Sequence, residues 1–254
     1  LADIGGIAVT ENEGNVRLCT SFAKTHIAIA GIEKVLPSVN DLGLFWPLLA
    51  TYSTGENLAV YNTILTGPKR ETEIDGPDEM YVILLDNGRT NLLTNEAVRE
   101  SLYCIRCGAC LNASPVYKNI GGHTYGTTYS GTIGAVITPH LKEMKEYKHL
   151  SYASPLSGEP TEACPLKINL HELLLENRHE AVKNHLTGKG EKVVWQMWKR
   201  INLSRKMMNL SNSSTKSKMI RKMFGKGWGE RRDLPDFAPK SFNELWKEKT
   251  GNKS

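Results

Sequence analysis

Tyr103-Cys-Ile-Arg-Cys-Gly-Ala-Cys-Leu-Asn112 sets Cys104, Cys107 and Cys110 at two-residue gaps, and Cys164-Pro165 follows far along the chain. A cubane iron–sulfur cluster needs four soft thiolate donors converging on one point. A C-x2-C-x2-C loop supplies three of them from adjacent turns, and a Cys-Pro elsewhere supplies the fourth. The spacing therefore predicts one [4Fe-4S] site, with Cys104, Cys107, Cys110 and Cys164 as its cofactor-binding and metal ligands. A zinc site on the same four thiolates is the alternative. Zinc ribbons, however, pair two C-x2-C hooks, whereas a third cysteine plus a distant Cys-Pro is the ferredoxin layout.

In two-cluster ferredoxins the first run ends in a further cysteine after three residues, and a second run precedes the Cys-Pro. Here the first of these positions is Ser114, and the places counted back from Cys164 hold Pro160, Ser157 and Ser154. All four would have served a second cluster, so the sequence predicts one intact site and one abolished. The remaining cysteine, Cys19, is expected to be a small buried apolar residue.

Upstream of the run, Ile4–Val9, His26–Ala30, Leu58–Leu65 and Met80–Leu85 are short apolar stretches separated by turns. Their near-continuous apolarity predicts strands of a parallel sheet covered on both faces. Asn40–Tyr52 has helical spacing through Leu42, Phe45, Leu48 and Leu49, with Asn40 or Asp41 as cap and Pro47 against it. Together these predict an α/β layer. Glu11 and Glu13 lie in a loop after a strand, either beside a ligand or in a solvated turn.

From Thr94 a helix is expected to run into Cys104. A second is expected after Pro165, with Ile168, Leu170, Leu173, Leu174 and Val182 on or near one face and Glu172 and Glu176 outside it. Ile120–Pro139, rich in Gly, Thr and Tyr, predicts an ordered loop. His123 and His140 lie near the motif and are read as loop hydrogen-bonding groups, with a redox or proton-relay role the alternative. The sequence holds no P-loop, G-x-G-x-x-G, G-x-S-x-G or H-E-x-x-H motif, so no catalytic residue is predicted.

The 254 residues, 40% hydrophobic and 23% charged, exclude a collagen-like, disordered or disulfide-dense chain. Five cysteines are too few for a disulfide framework, and no apolar run is long enough to cross a bilayer. A soluble cytoplasmic protein is expected. Because the chain opens on Leu1 and the apolar Ile4-Gly-Gly-Ile-Ala-Val9, an N-terminal truncation is expected as well. Net charge is +5, but residues 189–232 hold 13 Lys and Arg against Glu191 and Glu230, a local +11 that leaves −6 elsewhere. This basic segment is read as a solvated linker, with an acidic partner, anionic lipid or nucleic acid as the alternatives. Its Trp195, Trp198, Met207 and Met208 are expected to pack on the protein's own core, with a partner or membrane surface the second reading.

The cysteine run, followed by Ile120-Gly-Gly-His-Thr-Tyr-Gly126 and Ile133-Gly-Ala-Val136, resembles the lactate utilisation protein B family, the iron–sulfur proteins of bacterial lactate utilisation. So do Glu13-Gly-Asn15, Lys24-Thr-His-Ile-Ala28, Thr66-Gly-Pro68 and Leu85-Asp-Asn-Gly88, which are similar to the later part of that family's LUD domain. Ala238-Pro-Lys-Ser-Phe-Asn-Glu-Leu-Trp246 is similar to its tail. The resemblance implies a partial LUD domain of the sugar-isomerase and CoA-transferase kind over 1–92, a helical ferredoxin-like module over 93–186 and a basic region over 187–254. It further implies a non-catalytic electron-transfer subunit that partners other subunits of a complex oxidising L-lactate to pyruvate. Family members are expected to bind two clusters, and this chain departs at Ser114, Ser154, Ser157 and Pro160. The alternative is a non-redox structural or assembly subunit.

Overall fold

A computed structural model describes residues 1–208, 210–228 and 232–251. The chain divides into two compact units, Leu1–Leu186 and Thr187–Ser254.

The first unit opens with β1 (Ile7–Glu11), α1 (Asn15–Phe22), β2 (Thr25–Gly31), α2 (Leu42–Thr54), β3 (Tyr61–Leu65) and β4 (Glu79–Leu85). All four expected strands and the expected helix are present, but the single covered parallel sheet is not. β1 pairs antiparallel with β3, Ile7 opposite Leu65, while β2 pairs parallel with β4, Thr25 opposite Glu79 and Gly31 opposite Leu85. β4 is exposed on both faces, with Val82 44% and Ile83 47% accessible, whereas β2 is exposed on the face of Ile27 (56%) and Ile29 (67%) and half-buried on the other. Apolar composition anticipates a covering layer, and the described residues do not provide one. The same lack of cover explains Cys19, which is exposed rather than buried: α1 buries only Thr20.

Ahead of α2, Ser38 and Asp41 form a reciprocal capping box around a 3-10 turn, and Pro47 is accommodated inside the helix. Glu11 ends β1 and accepts hydrogen bonds from the backbone N–H groups of Val16 (2.8 Å) and Arg17 (2.9 Å), which satisfies the free amides at the start of α1. Asn12 bridges the same corner to Val60 N and the Glu56 carboxylate. Glu11 and Asn12 thus have local structural partners.

The rest of the unit is helical: α3 (Arg89–Thr94), α4 (Ala109–Ala113), α5 (Pro115–Ile120), α6 (Gly131–Leu141), α7 (Met144–Tyr152), α8 (Glu159–Glu162) and α9 (Leu170–Lys183). No helix runs from Thr94 to Cys104. Thr94 ends α3, Asn95 leaves the helix with its Oδ1 accepting from Ala97 N, and a 3-10 turn over Arg99–Tyr103 leads to the cysteines.

The core gathers on α6, α7 and α9, where Val136 and Leu174 are fully enclosed. α6 falls inside the stretch expected to be a loop, and Gly131–Pro139 is buried throughout. The glycines there serve packing: a Cβ on Gly134 would stand 2.1 Å from the carbonyl oxygen of Tyr129. In α9, Ile168 (just before the helix), Leu170, Leu173 and Leu174 are buried as expected, but Val182 is exposed. Its place on the inner face is taken by Asn177 and Ala181, four and eight residues on from Leu173.

Asn177 is buried and donates to Val136 O (2.9 Å) and Ser151 Oγ (3.0 Å). Its amide oxygen therefore accepts from His140 Nε2 at 2.7 Å, which gives His140 the hydrogen-bonding role expected of it.

The second unit consists of α10 (Lys189–Asn202), α11 (Arg205–Met208), α12 (Ser213–Trp228) and α13 (Phe242–Thr250). Trp195, Trp198, Met207 and Met208 are exposed and do not pack into a core, contrary to expectation. The part of the basic segment at Gly229, Glu230 and Arg231 lies outside the described residues. Among the described residues no helix is long and apolar enough to cross a membrane.

Candidate iron–sulfur site

The loop that carries the cysteines is wound by two residues with left-handed backbone, Arg106 (φ 64°) and Gly108 (φ 83°). Alternation of such residues with ordinary ones turns successive backbone N–H groups inward and suits a site for negative charge. Arg106 N lies 3.4 Å from Cys104 Sγ, and the N–H groups of Ala109 and Ile133 face the sulfurs of Cys107 and Cys110. Ile133 stands in the first turn of α6, so the positive end of that helix faces Cys110.

Cys164 comes from the turn between α8 and α9. Cys104, Cys107, Cys110 and Cys164 all line one cavity of about 180 Å³. Its remaining wall is mainly apolar, with Ile105, Leu111, Ile133 and Leu166 among the lining residues, and Pro165 contributes no N–H.

Such a pocket holds four thiols easily and four thiolates only with help. Burial pushes Cys107 up, and it pushes Cys110 to about 11; the neighbouring sulfurs add repulsion at both. A cationic metal core is the group that would offset these costs. Among the described residues no set of three or more His, Cys, Asp or Glu side chains is arranged to hold a metal ion.

Behind Cys104 lies a charged group with no local sequence signal. Lys34 Nζ donates to the Cys104 carbonyl oxygen. Arg89 and Glu33 form a buried ion pair at 2.5 Å, and Arg89 also donates to the Tyr129 hydroxyl at 3.0 Å. The Arg106 guanidinium lies over the Tyr129 ring, 4.0 Å from its centre. Three cations and one carboxylate thus stand against one side of the cysteine loop. Burial, then the nearby Arg106, holds the Lys34 ammonium below its usual range. Arg106 could have been noticed because it sits inside the C-x2-C spacing. Lys34, in the turn after β2, and Arg89, at the start of α3, are brought in by tertiary folding alone.

The positions where second-cluster ligands would be expected are committed to other work. Ser114 is buried, accepts from Tyr117 N at 3.3 Å as the cap of α5, and hydrogen bonds with the buried Tyr125. Ser154 accepts from Leu156 N, and its carbonyl is held by Arg178. Pro160 is buried in the first turn of α8, while Ser157 is exposed. His123 is exposed and lines a different, polar cleft with Tyr117 and Lys142.

Comparison with known proteins finds relatives along most of the chain. The LUD domain matches residues 1–85. Lactate utilization protein B of Shouchella clausii is 39% identical over 97% of this chain and 54% of its own length. Lactate utilization protein B of Bacillus subtilis is 46% identical over 72% of this chain and 38% of its own length. An uncharacterized electron transport protein of Escherichia coli, YkgF, is 38% identical over 97% of this chain and 54% of its own length. No solved structure matches. The chain spans about half the length of the curated relatives it matches, and along nearly all of its own length it is similar to the lactate utilization protein B family.

Proposed function

We propose that this chain is an electron-transfer protein of a lactate-utilisation system, holding one [4Fe-4S] cluster on Cys104, Cys107, Cys110 and Cys164. The observation that supports it most is the convergence of four cysteines, from two distant segments, on one apolar cavity of about 180 Å³. A bound cluster supplies reversible one-electron exchange. The protein's own residues do the rest. Ile133, Leu111 and Leu166 keep water from the sulfurs, backbone N–H groups partly neutralise them, and Lys34 and Arg106 add positive charge beside Cys104. Oxidation of L-lactate to pyruvate releases two electrons, so a one-electron carrier would pass them singly between other proteins of the system. Those proteins are its proposed partners.

The second reading, a structural or assembly role, draws support from the engagement of Ser114, Ser154 and Pro160 in local structure. One experiment separates the two: iron, zinc and acid-labile sulfide per chain on protein purified without oxygen, with EPR spectra before and after dithionite. About four iron and four sulfide with a reducible signal is the expected result. About eight iron would overturn the single-cluster assignment. Zinc, no metal, or a cluster that does not cycle would leave the structural role.

A further inference from the structure

The second unit carries an apolar surface that its own fold leaves uncovered. In α10, Val193, Met197 and Ile201 recur every four residues, with Val194 and Trp198 alongside. Lys189, Lys192 and Lys199 occupy the opposite side with Gln196. Trp195, at the border, packs edge-on to Trp198 with ring centres 5.6 Å apart, and the two are 59% and 57% exposed. α12 repeats the design: Ile220, Phe224 and Trp228 form one line with Met219 and Met223 beside it, while Lys218, Lys222 and Lys226 form another. Phe224 and both methionines are at least half exposed. α13 stacks Phe242 on Trp246 at its surface.

We infer that α10 and α12 form a docking surface for an anionic lipid bilayer, lying in the headgroup layer with their apolar faces inward. Charge chooses the occupant. Residues 189–232 carry +11, most of it on lysines that flank exposed Trp, Phe and Met. An in-plane amphipathic helix needs that combination: apolar area to enter the acyl boundary, indoles at the interface and lysines beside anionic headgroups. The helices are too polar to span, in keeping with the absence of a membrane-crossing helix among the described residues. A nucleic-acid surface would use the cations and leave the aliphatic line of Val193, Met197 and Ile201 in water. A protein partner would need its own acidic and apolar grooves for two helices of the same make-up. The inference is independent of the cluster, because all five cysteines lie in the first unit.

The test uses the full chain with 100-nm vesicles of phosphatidylcholine alone or mixed equally with phosphatidylglycerol. Four of the five tryptophans, Trp195, Trp198, Trp228 and Trp246, lie in the second unit, so tryptophan emission reports directly on the proposed face. The expected result is co-sedimentation at least tenfold stronger with the anionic vesicles, a blue-shifted emission and protection from acrylamide quenching. Replacing Lys192, Lys199, Lys222 and Lys226 by Gln should weaken binding at least tenfold. The pair Trp195→Ser and Trp198→Ser should weaken it too, with far-UV circular dichroism confirming that both variants keep their helices. Equal binding to neutral vesicles, binding without an emission shift, or no binding would overturn the proposal. Preference for duplex DNA over vesicles would overturn it in favour of a nucleic-acid face.

Discussion

At the scale of single residues, the informative contrast is between Cys164 and Cys19. Both are cysteines, but one shares a cavity wall with three others and one stands exposed on α1. Cys164→Ala should remove most iron and sulfide from the purified chain, whereas Cys19→Ser should leave both unchanged; metal analysis on the two variants checks this. Lys34 makes a finer prediction. Its ammonium sits on the Cys104 carbonyl, so Lys34→Gln removes a positive charge close to the site. Adding an electron there then becomes harder, because an opposite charge that favoured the reduced form is gone. The midpoint potential should move to a more negative value while iron content stays constant, read by EPR-monitored redox titration. No change in potential would make Lys34 a structural contact only.

At the scale of elements, α6 carries the most weight for the site. Its first turn presents the Ile133 N–H to Cys110, its middle is enclosed by α7 and α9, and its His140 is tied to Asn177. The helix fits because Gly134 lets it pass the Tyr129 carbonyl without a side chain. Gly134→Ala should therefore destabilise the protein by about 1–3 kcal/mol through overpacking, despite the better helix propensity of alanine. Urea denaturation followed by circular dichroism measures it. Because Tyr129 lines the cavity, the same variant should hold its cluster less firmly on exposure to air or chelator.

At the scale of the whole molecule, the two units divide the work. The four candidate ligands lie within Leu1–Leu186, and the exposed basic helices lie beyond it. A chain ended after Leu186 should keep its iron and lose vesicle binding, which metal analysis and co-sedimentation can establish together. Loss of iron on that truncation would show that the second unit supports the site.

The sequence by itself determined the cysteine set, the four strands and α2 of the first 85 residues, though not α1, and the basic character of the tail. Each of these is written in local spacing: two-residue gaps between thiols, runs of strand-forming residues, lysines every three or four positions. The resemblance to the family was legible for the same reason. Tertiary structure alone decided the rest. Whether β2 and β4 were covered depended on what packs against them, which apolar composition anticipates but cannot supply. The helix through Gly131–Pro139 was hidden because glycine and threonine read as loop in isolation, yet small residues are what close packing around a buried helix demands. Lys34, Glu33 and Arg89 were invisible because they lie many residues from the cysteines, and only the folded chain brings their charges beside Cys104.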